Sequence, residues 1–150
     1  MRLYHYTVGD YMLKILASGV ILPATKLVPK GERPIVWFSS NPVWEPTARK
    51  GDPRTRRSFS KDETRERCHG LYRFTIDSEQ TPVHAWKKLR LLSKMNPKVA
   101  DGLESVARED GANPDEWYGT FHAVERTKWT AVEKLTDAGE WVSTVMKTVI

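Results

Sequence analysis

Apolar and polar positions along the chain follow two periods, and the switches between them outline the elements. Leu3-Tyr4-His5-Tyr6-Thr7 alternates and is rich in β-formers, so it predicts a first strand. Val8-Gly9-Asp10 breaks it, with Asp10 as the expected N-cap of a helix whose apolar face is Met12, Leu13, Ile15 and Leu16, ending at Ser18-Gly19. Val20-Ile21-Leu22 is a short extended piece closed by Pro23, and Thr25 to Pro34 is a loop carrying Pro29 and Gly31. The continuous run Ile35-Val36-Trp37-Phe38-Ser39-Ser40 predicts a strand buried on both faces, ended by Asn41-Pro42. Trp44 to Ala48 starts a short helix.

Residues 49–67 have a different texture. Eight Lys and Arg side chains crowd into them beside Gly51, Pro53 and Ser60, which predicts a long exposed loop. Gly70 to Asp77 returns to a strand with Tyr72, Phe74 and Ile76 on its core face. Val83 to Leu92 fits a helix or a strand followed by a turn equally well. Asn96-Pro97 opens a clear helix, with Asn96 as N-cap and Val99, Leu103, Val106 and Ala107 as its apolar stripe, stopped by Gly111 and Pro114. Glu116–Val124, Trp129–Leu135 and Trp141–Val145 then read as strands, the last two joined by a hairpin turn at Asp137-Ala138-Gly139. A strand, a helix, short strands, a helix and a run of strands predict a single α+β domain over residues 1–150, with a basic loop at about 49–67.

Composition narrows the setting. No apolar run reaches the roughly 20 residues of a membrane span, and no apolar leader opens the chain, so a soluble cytoplasmic protein is expected. Cys68 is the only cysteine and the four histidines are scattered, so neither a disulfide nor a metal site is expected. The net charge of +5 favours an anionic partner such as nucleic acid, although solubility alone also explains it. Glycine-rich phosphate loops, dinucleotide fingerprints and nucleophile elbows are absent. Cys68 lies among arginines that would lower a thiol pKa, the alternative being an incidental surface thiol.

Three stretches carry candidate chemistry. His5, flanked by Tyr4 and Tyr6, offers one donor and one acceptor for a sugar hydroxyl or carboxamide, or is simply hydrogen-bonded within the sheet. Ser39 and Ser40 put hydroxyls at the rim of a buried strand, where Trp37 or Trp44 could stack on a flat heteroaromatic ring; the alternative is a core strand with capping serines. Arg49, Arg54, Arg56 and Arg57 could clamp phosphates, since guanidinium forks suit them, or form a solvated loop.

The segments Leu3-Tyr4-His5-Tyr6-Thr7, Ile15-Leu16-Ala17-Ser18-Gly19-Val20-Ile21 and Val36-Trp37-Phe38-Ser39-Ser40 resemble the opening of ADP-ribosyltransferase-fold proteins. They are most similar to the branch with the DNA-targeting toxins and the RNA 2′-phosphotransferases. The resemblance covers roughly the first third of the chain. It implies a split mixed or antiparallel sheet with a few flanking helices, and NAD as substrate. It implies that His5 contacts the NAD ribose, that Tyr6 and Thr7 lie near the nicotinamide amide, that Ser39 and Ser40 support the nicotinamide pocket, and that Trp37 takes an aromatic position there. The glutamate such a transferase needs at the start of a late strand matches Glu116, with Glu133 as fallback. The chain lacks the arginine and histidine set of the phosphotransferases and the paired Glu-x-Glu or Gln-x-Glu of protein-modifying toxins, so the resemblance implies mono-ADP-ribosyl transfer to a nucleic acid or protein acceptor. The small size suits a toxin or phage effector. The competing expectation is a non-catalytic nucleic-acid- or protein-binding module using the arginine-rich loop.

Overall fold

The computed structural model describes residues 1–144. It is a single α+β domain in which every described strand pairing is antiparallel. In chain order the elements are β1 (Arg2–Val8), α1 (Gly9–Ser18), β2 (Val20–Ile21), β3 (Val36–Ser39), α2 (Lys61–Arg67), β4 (Leu71–Asp77), β5 (His84–Ala85), α3 (Trp86–Leu92), α4 (Pro97–Glu109), β6 (Trp117–Thr120), β7 (Val124–Glu125), β8 (Trp129–Leu135) and β9 (Trp141–Ser143). Seven strands form one sheet in the order β5-β6-β3-β1-β4-β8-β9, and β2 pairs with β7 in a separate ribbon.

The pleat sends alternate residues of each strand to opposite faces. On one face Leu3, Phe38, Phe74, Ile76 and Val132 meet Met12 of α1 and Ile21 and Val124 of the ribbon. On the other, α3 and α4 bury Ile35, Trp86, Leu89 and Trp117, and a second cluster gathers Tyr4, Tyr6, Val8, Trp44, Leu71 and Leu135. Six consecutive β4 residues, Leu71 to Ile76, are buried, so both faces of this central strand are covered. Each fully buried large apolar side chain contributes about 2 kcal/mol.

The predicted first strand, first helix, hairpin turn and Asn96-Pro97 helix start are present. Gly19 takes φ 73° at the end of α1 and Gly139 φ 83° in the hairpin, a region that costs a residue with a Cβ. Val145, the last residue of the expected final strand, lies outside the described residues. The stretch Val83 to Leu92 divides into β5 and then α3.

Four expectations need correction. Asp10 does not cap α1: the N-cap is Val8, and the first amides of the helix donate to carbonyls of a distant turn, Gly9 N–H to Gly70 O at 3.0 Å and Asp10 N–H to Cys68 O at 3.1 Å. Asp10 instead pairs with His69 Nδ1 at 2.6 Å. Residues 49–67 are not one exposed loop, because Lys61–Arg67 is helix α2. Ser60 accepts from Glu63 N–H and Glu63 reaches back to Ser60 N–H, a reciprocal cap that offsets a polar sequence. Phe59 just ahead of the helix and Thr64 within it are buried. The stretch Glu116–Val124 is not one strand: β6 ends at Thr120, and Val124-Glu125 belongs to the ribbon. Of the expected apolar stripe of α4, Val99 at 53 %, Leu103 at 41 % and Val106 at 57 % exposed face outward, and Ala107 alone is buried. The helix docks through Ala100 and that Ala107, which share a buried cluster with Trp86 and Trp117.

Candidate functional site

The register decides which predicted residues can act together. Tyr4 pairs with Ser39, and Ser39 with Trp117, so Tyr4, Tyr6, Trp37, Ser39 and Trp117 share one sheet face. His5, Thr7, Phe38 and Tyr118 share the other. The edge-on contact of His5 with Phe38, at 5.9 Å between ring centroids, fits this assignment. The six residues expected around NAD are therefore divided by the sheet, with His5 and Thr7 on the face of α1, and Tyr6, Trp37 and Ser39 on the face of α3 and α4. Ser40 follows β3 at its rim.

His5 sits where the sheet is most weakly joined. β1 and β4 pair at all seven β1 positions, whereas β1 and β3 share the one registered pair Tyr4–Ser39. The His5 ring bridges that seam: Nδ1 lies 2.8 Å from Trp37 O, so Nδ1–H donates and the neutral ring keeps Nε2 as an acceptor. Burial holds the His5 pKa below its ordinary value, against the opposing bond to Trp37 and with help from the positive charge of Lys50. The ring is therefore uncharged at neutral pH.

The rim of β3 joins the backbone of the expected glutamate. Ser40 N–H donates to Glu116 O at 2.9 Å. Glu116 ends a 3-10 turn, Pro114–Glu116, capped by Asn113 and immediately ahead of β6. It is half-buried, and its carboxylate bonds to no described residue. Two strand spacings, roughly 10 Å, separate β6 from His5 on β1. Glu133 stands on β8, four spacings from β6, and its carboxylate is held by Arg73 Nε at 2.8 Å. Of the two glutamates, the backbone of Glu116 is bonded to Ser40, and Glu133 stands on a strand remote from it.

The opposite face is tied up internally. Trp37 packs between Trp86 at 5.6 Å and Trp117 at 6.3 Å, and Trp44 packs edge-on to Tyr6. Gly119, paired with Trp37, makes room for this cluster, since a Cβ there would lie 2.7 Å from Ile35 Cγ2. Ser39 Oγ donates to buried Glu45 Oε1 at 3.0 Å. Tyr6 OH donates to Asn41 O, and burial pushes the Tyr6 hydroxyl up to about 12, so it remains a donor at any physiological pH.

Sequence reading missed the partners that hold the rim. Tyr6 OH, Arg73 Nη1 and Trp141 Nε1 donate to three consecutive carbonyls, Asn41, Pro42 and Val43, from three different strands. Arg73 in the middle of a strand rich in apolar residues was the one available signal, because a cation at a buried strand position demands a partner.

The arginine segment is partly self-satisfied. Arg49 pairs with Asp110 at 2.6 Å, and Arg57 makes a two-pronged bond to Glu63 at 3.2 and 2.9 Å. Hydrogen bonding from Arg57 holds the Glu63 carboxyl down to about 2. Arg54 and Arg56 are exposed and form no ion pair with a described residue. The expectation that arginines lower the Cys68 thiol is overturned: burial pushes it up, and the negative charge of Asp10 adds to this. No group of three metal-ligating side chains gathers among the described residues, and none of their helices is long and apolar enough to cross a membrane.

Comparison with protein-family models, curated proteins and solved structures finds no match to this chain.

Proposed function

We propose that this chain binds NAD at the β1–β3 seam and transfers its ADP-ribose to a nucleic acid or protein acceptor in the cytoplasm. The observation that supports the reading is the His5 ring: neutral, fixed by Trp37 O, with Nε2 on the seam of the sheet making no hydrogen bond to a described residue. In this reading Nε2 accepts a ribose hydroxyl. Ser40, tied to Glu116 through the backbone, borders the nicotinamide pocket. The glycosidic bond from the ribose anomeric carbon to nicotinamide breaks, and its electron pair leaves with neutral nicotinamide. The carboxylate of Glu116 stabilises the cationic character left on the ribose and orients the incoming group, which attacks the anomeric carbon as its proton passes to solvent water. Glutamate suits the task because it is ionised at neutral pH.

Titration calorimetry with NAD on the wild type, His5→Ala and Glu116→Gln tests it. The expected result is saturable binding that His5→Ala weakens. Glu116→Gln should keep binding but lose transfer in an assay with labelled NAD. A folded wild-type protein that takes up no NAD sinks the reading.

A second reading rests on Arg54 and Arg56, whose exposed cations fit a phosphate backbone. It predicts salt-sensitive nucleic-acid binding, with the log–log salt slope reduced by about 2 on replacing both arginines.

A further inference from the structure

The outer face of α4 carries three large apolar side chains that the described residues leave open, Val99, Leu103 and Val106. A spacing of four and then three positions sets them one above the other along a single helix face. Beside this stripe runs a second line, Lys98, Gly102, Ser105 and Glu109, all exposed. Gly102 stands in the interior of α4, where glycine destabilises a helix by about 1 kcal/mol relative to alanine. The fold of the chain gives no reason for it, since a Cβ at Gly102 would meet nothing within 4 Å. A second helix laid on this face gives one, because the distance between packed helices is set by the side chains at their contact.

The charges of α4 are sorted in the same direction. Lys98 and Glu109 close the second line at its two ends, about three turns and roughly 16 Å apart. Neither forms an ion pair with a described residue. The other acids are engaged: Asp101 and Glu104 accept from Arg90, and Asp110, just past the helix, accepts from Arg49. Arg108, the remaining cation, lies about two and a half turns from Val99 and so projects from the opposite side of the helix.

A free cation at one end and a free anion at the other fit the same face turned end for end. We propose that α4 pairs antiparallel with α4 of a second copy of this chain, about a two-fold axis near Gly102 and Leu103. Val99 of each copy packs against Val106 of the other, the two Leu103 side chains meet near the axis, and Lys98 of each copy reaches Glu109 of the other. A parallel pairing sets lysine against lysine and glutamate against glutamate, so the charges select the antiparallel one. The helix is only about 20 Å long, and one face of it buries less than the roughly 800 Å² per partner of a standard interface, so the dimer is weak and exchanges rapidly. The interface uses no residue of the NAD reading and stands or falls separately.

Sedimentation velocity of the full chain at low ionic strength, from micromolar to millimolar concentration, tests it. The wild type should pass from monomer to dimer across this range. Val106→Gln puts a good helix former at an exposed position, so the fold holds, and it should weaken association by more than about tenfold. Gly102→Ala should raise the melting temperature of the dilute protein and yet weaken association. Lys98→Glu and Glu109→Lys each bring like charges together at both ends of the interface and should each weaken it about tenfold. Mixed in equal amounts, those two variants regain both complementary pairs, and the mixture should dimerise as the wild type does. A wild type that stays monomeric at millimolar concentration overturns the proposal and leaves the face to a different protein. Association that Val106→Gln does not weaken lies elsewhere on the surface and overturns it too. A mixture that associates no better than the single variants overturns the antiparallel pairing.

Discussion

Arg73 Nε donates to Glu133 Oε1 at 2.8 Å, and the guanidinium carbon lies 4.4 Å from the Tyr4 ring centroid and 4.6 Å from that of Trp141. With the bond to Pro42 O, this places one cation at the junction of β1, β4, β8, β9 and the segment that follows β3. The side chains of the pair are 10 % and 20 % exposed, dry enough for the loss of one partner to matter.

Glu133→Ala should leave Arg73 buried without its counter-charge and cost about 3 kcal/mol of unfolding free energy. Replacing both residues by apolar side chains of similar volume should cost less than the single change. Urea denaturation of the two variants checks the order, and equal losses would show that the pair is not coupled.

Gly9→Ala tests the junction between α1 and the turn at residues 68–70. The added Cβ would lie 2.0 Å from His69 O, inside backbone that cannot yield. The turn supplies the carbonyls that accept from Gly9 and Asp10, so pushing it away uncaps the helix as well. A loss of about 2–3 kcal/mol in chemical denaturation is expected.

Acidification should weaken the fold through His5. Its folded pKa lies below the unfolded value of 6.5, so near that pH the unfolded chain binds the proton more readily. The contribution is fully present above about pH 6.5 and is lost as pH falls toward the lowered folded pKa. His5→Gln should flatten the stability profile between pH 7 and pH 5. Identical slopes for variant and wild type in that window would refute the assignment.

Ser60→Ala removes half of the reciprocal cap on α2 and should cost about 1 kcal/mol. Amide exchange resolved by segment should show the loss within Lys61–Arg67, next to an unchanged β4. The same segment shows what a charge-dominated reading overlooks. Eight cations in nineteen residues read as loop, but Ser60 three residues before Glu63 is a helix-start signal whatever the charge.

Local patterns in the sequence are enough to place β1, α1 with its terminal Gly19, β3, β4, the start of α4 and the final hairpin turn, because each is signalled by a period, a cap or a turn residue within a few positions. His5, Ser40 and Glu116 were likewise legible as candidates, being polar groups at the edges of apolar runs. The face each residue occupies was decided by tertiary structure. Strand pairing fixed that His5 and Ser39 project to opposite sides, although thirty-four positions of sequence give no hint of their register. Docking through Ala100 and Ala107 turned Val99, Leu103 and Val106 of α4 outward. The bonds from Tyr6, Arg73 and Trp141 to Asn41, Pro42 and Val43 join residues 31 to 98 positions apart. Such contacts form only when the sheet closes, since closing loops of that length has an entropic cost that the assembled core must offset.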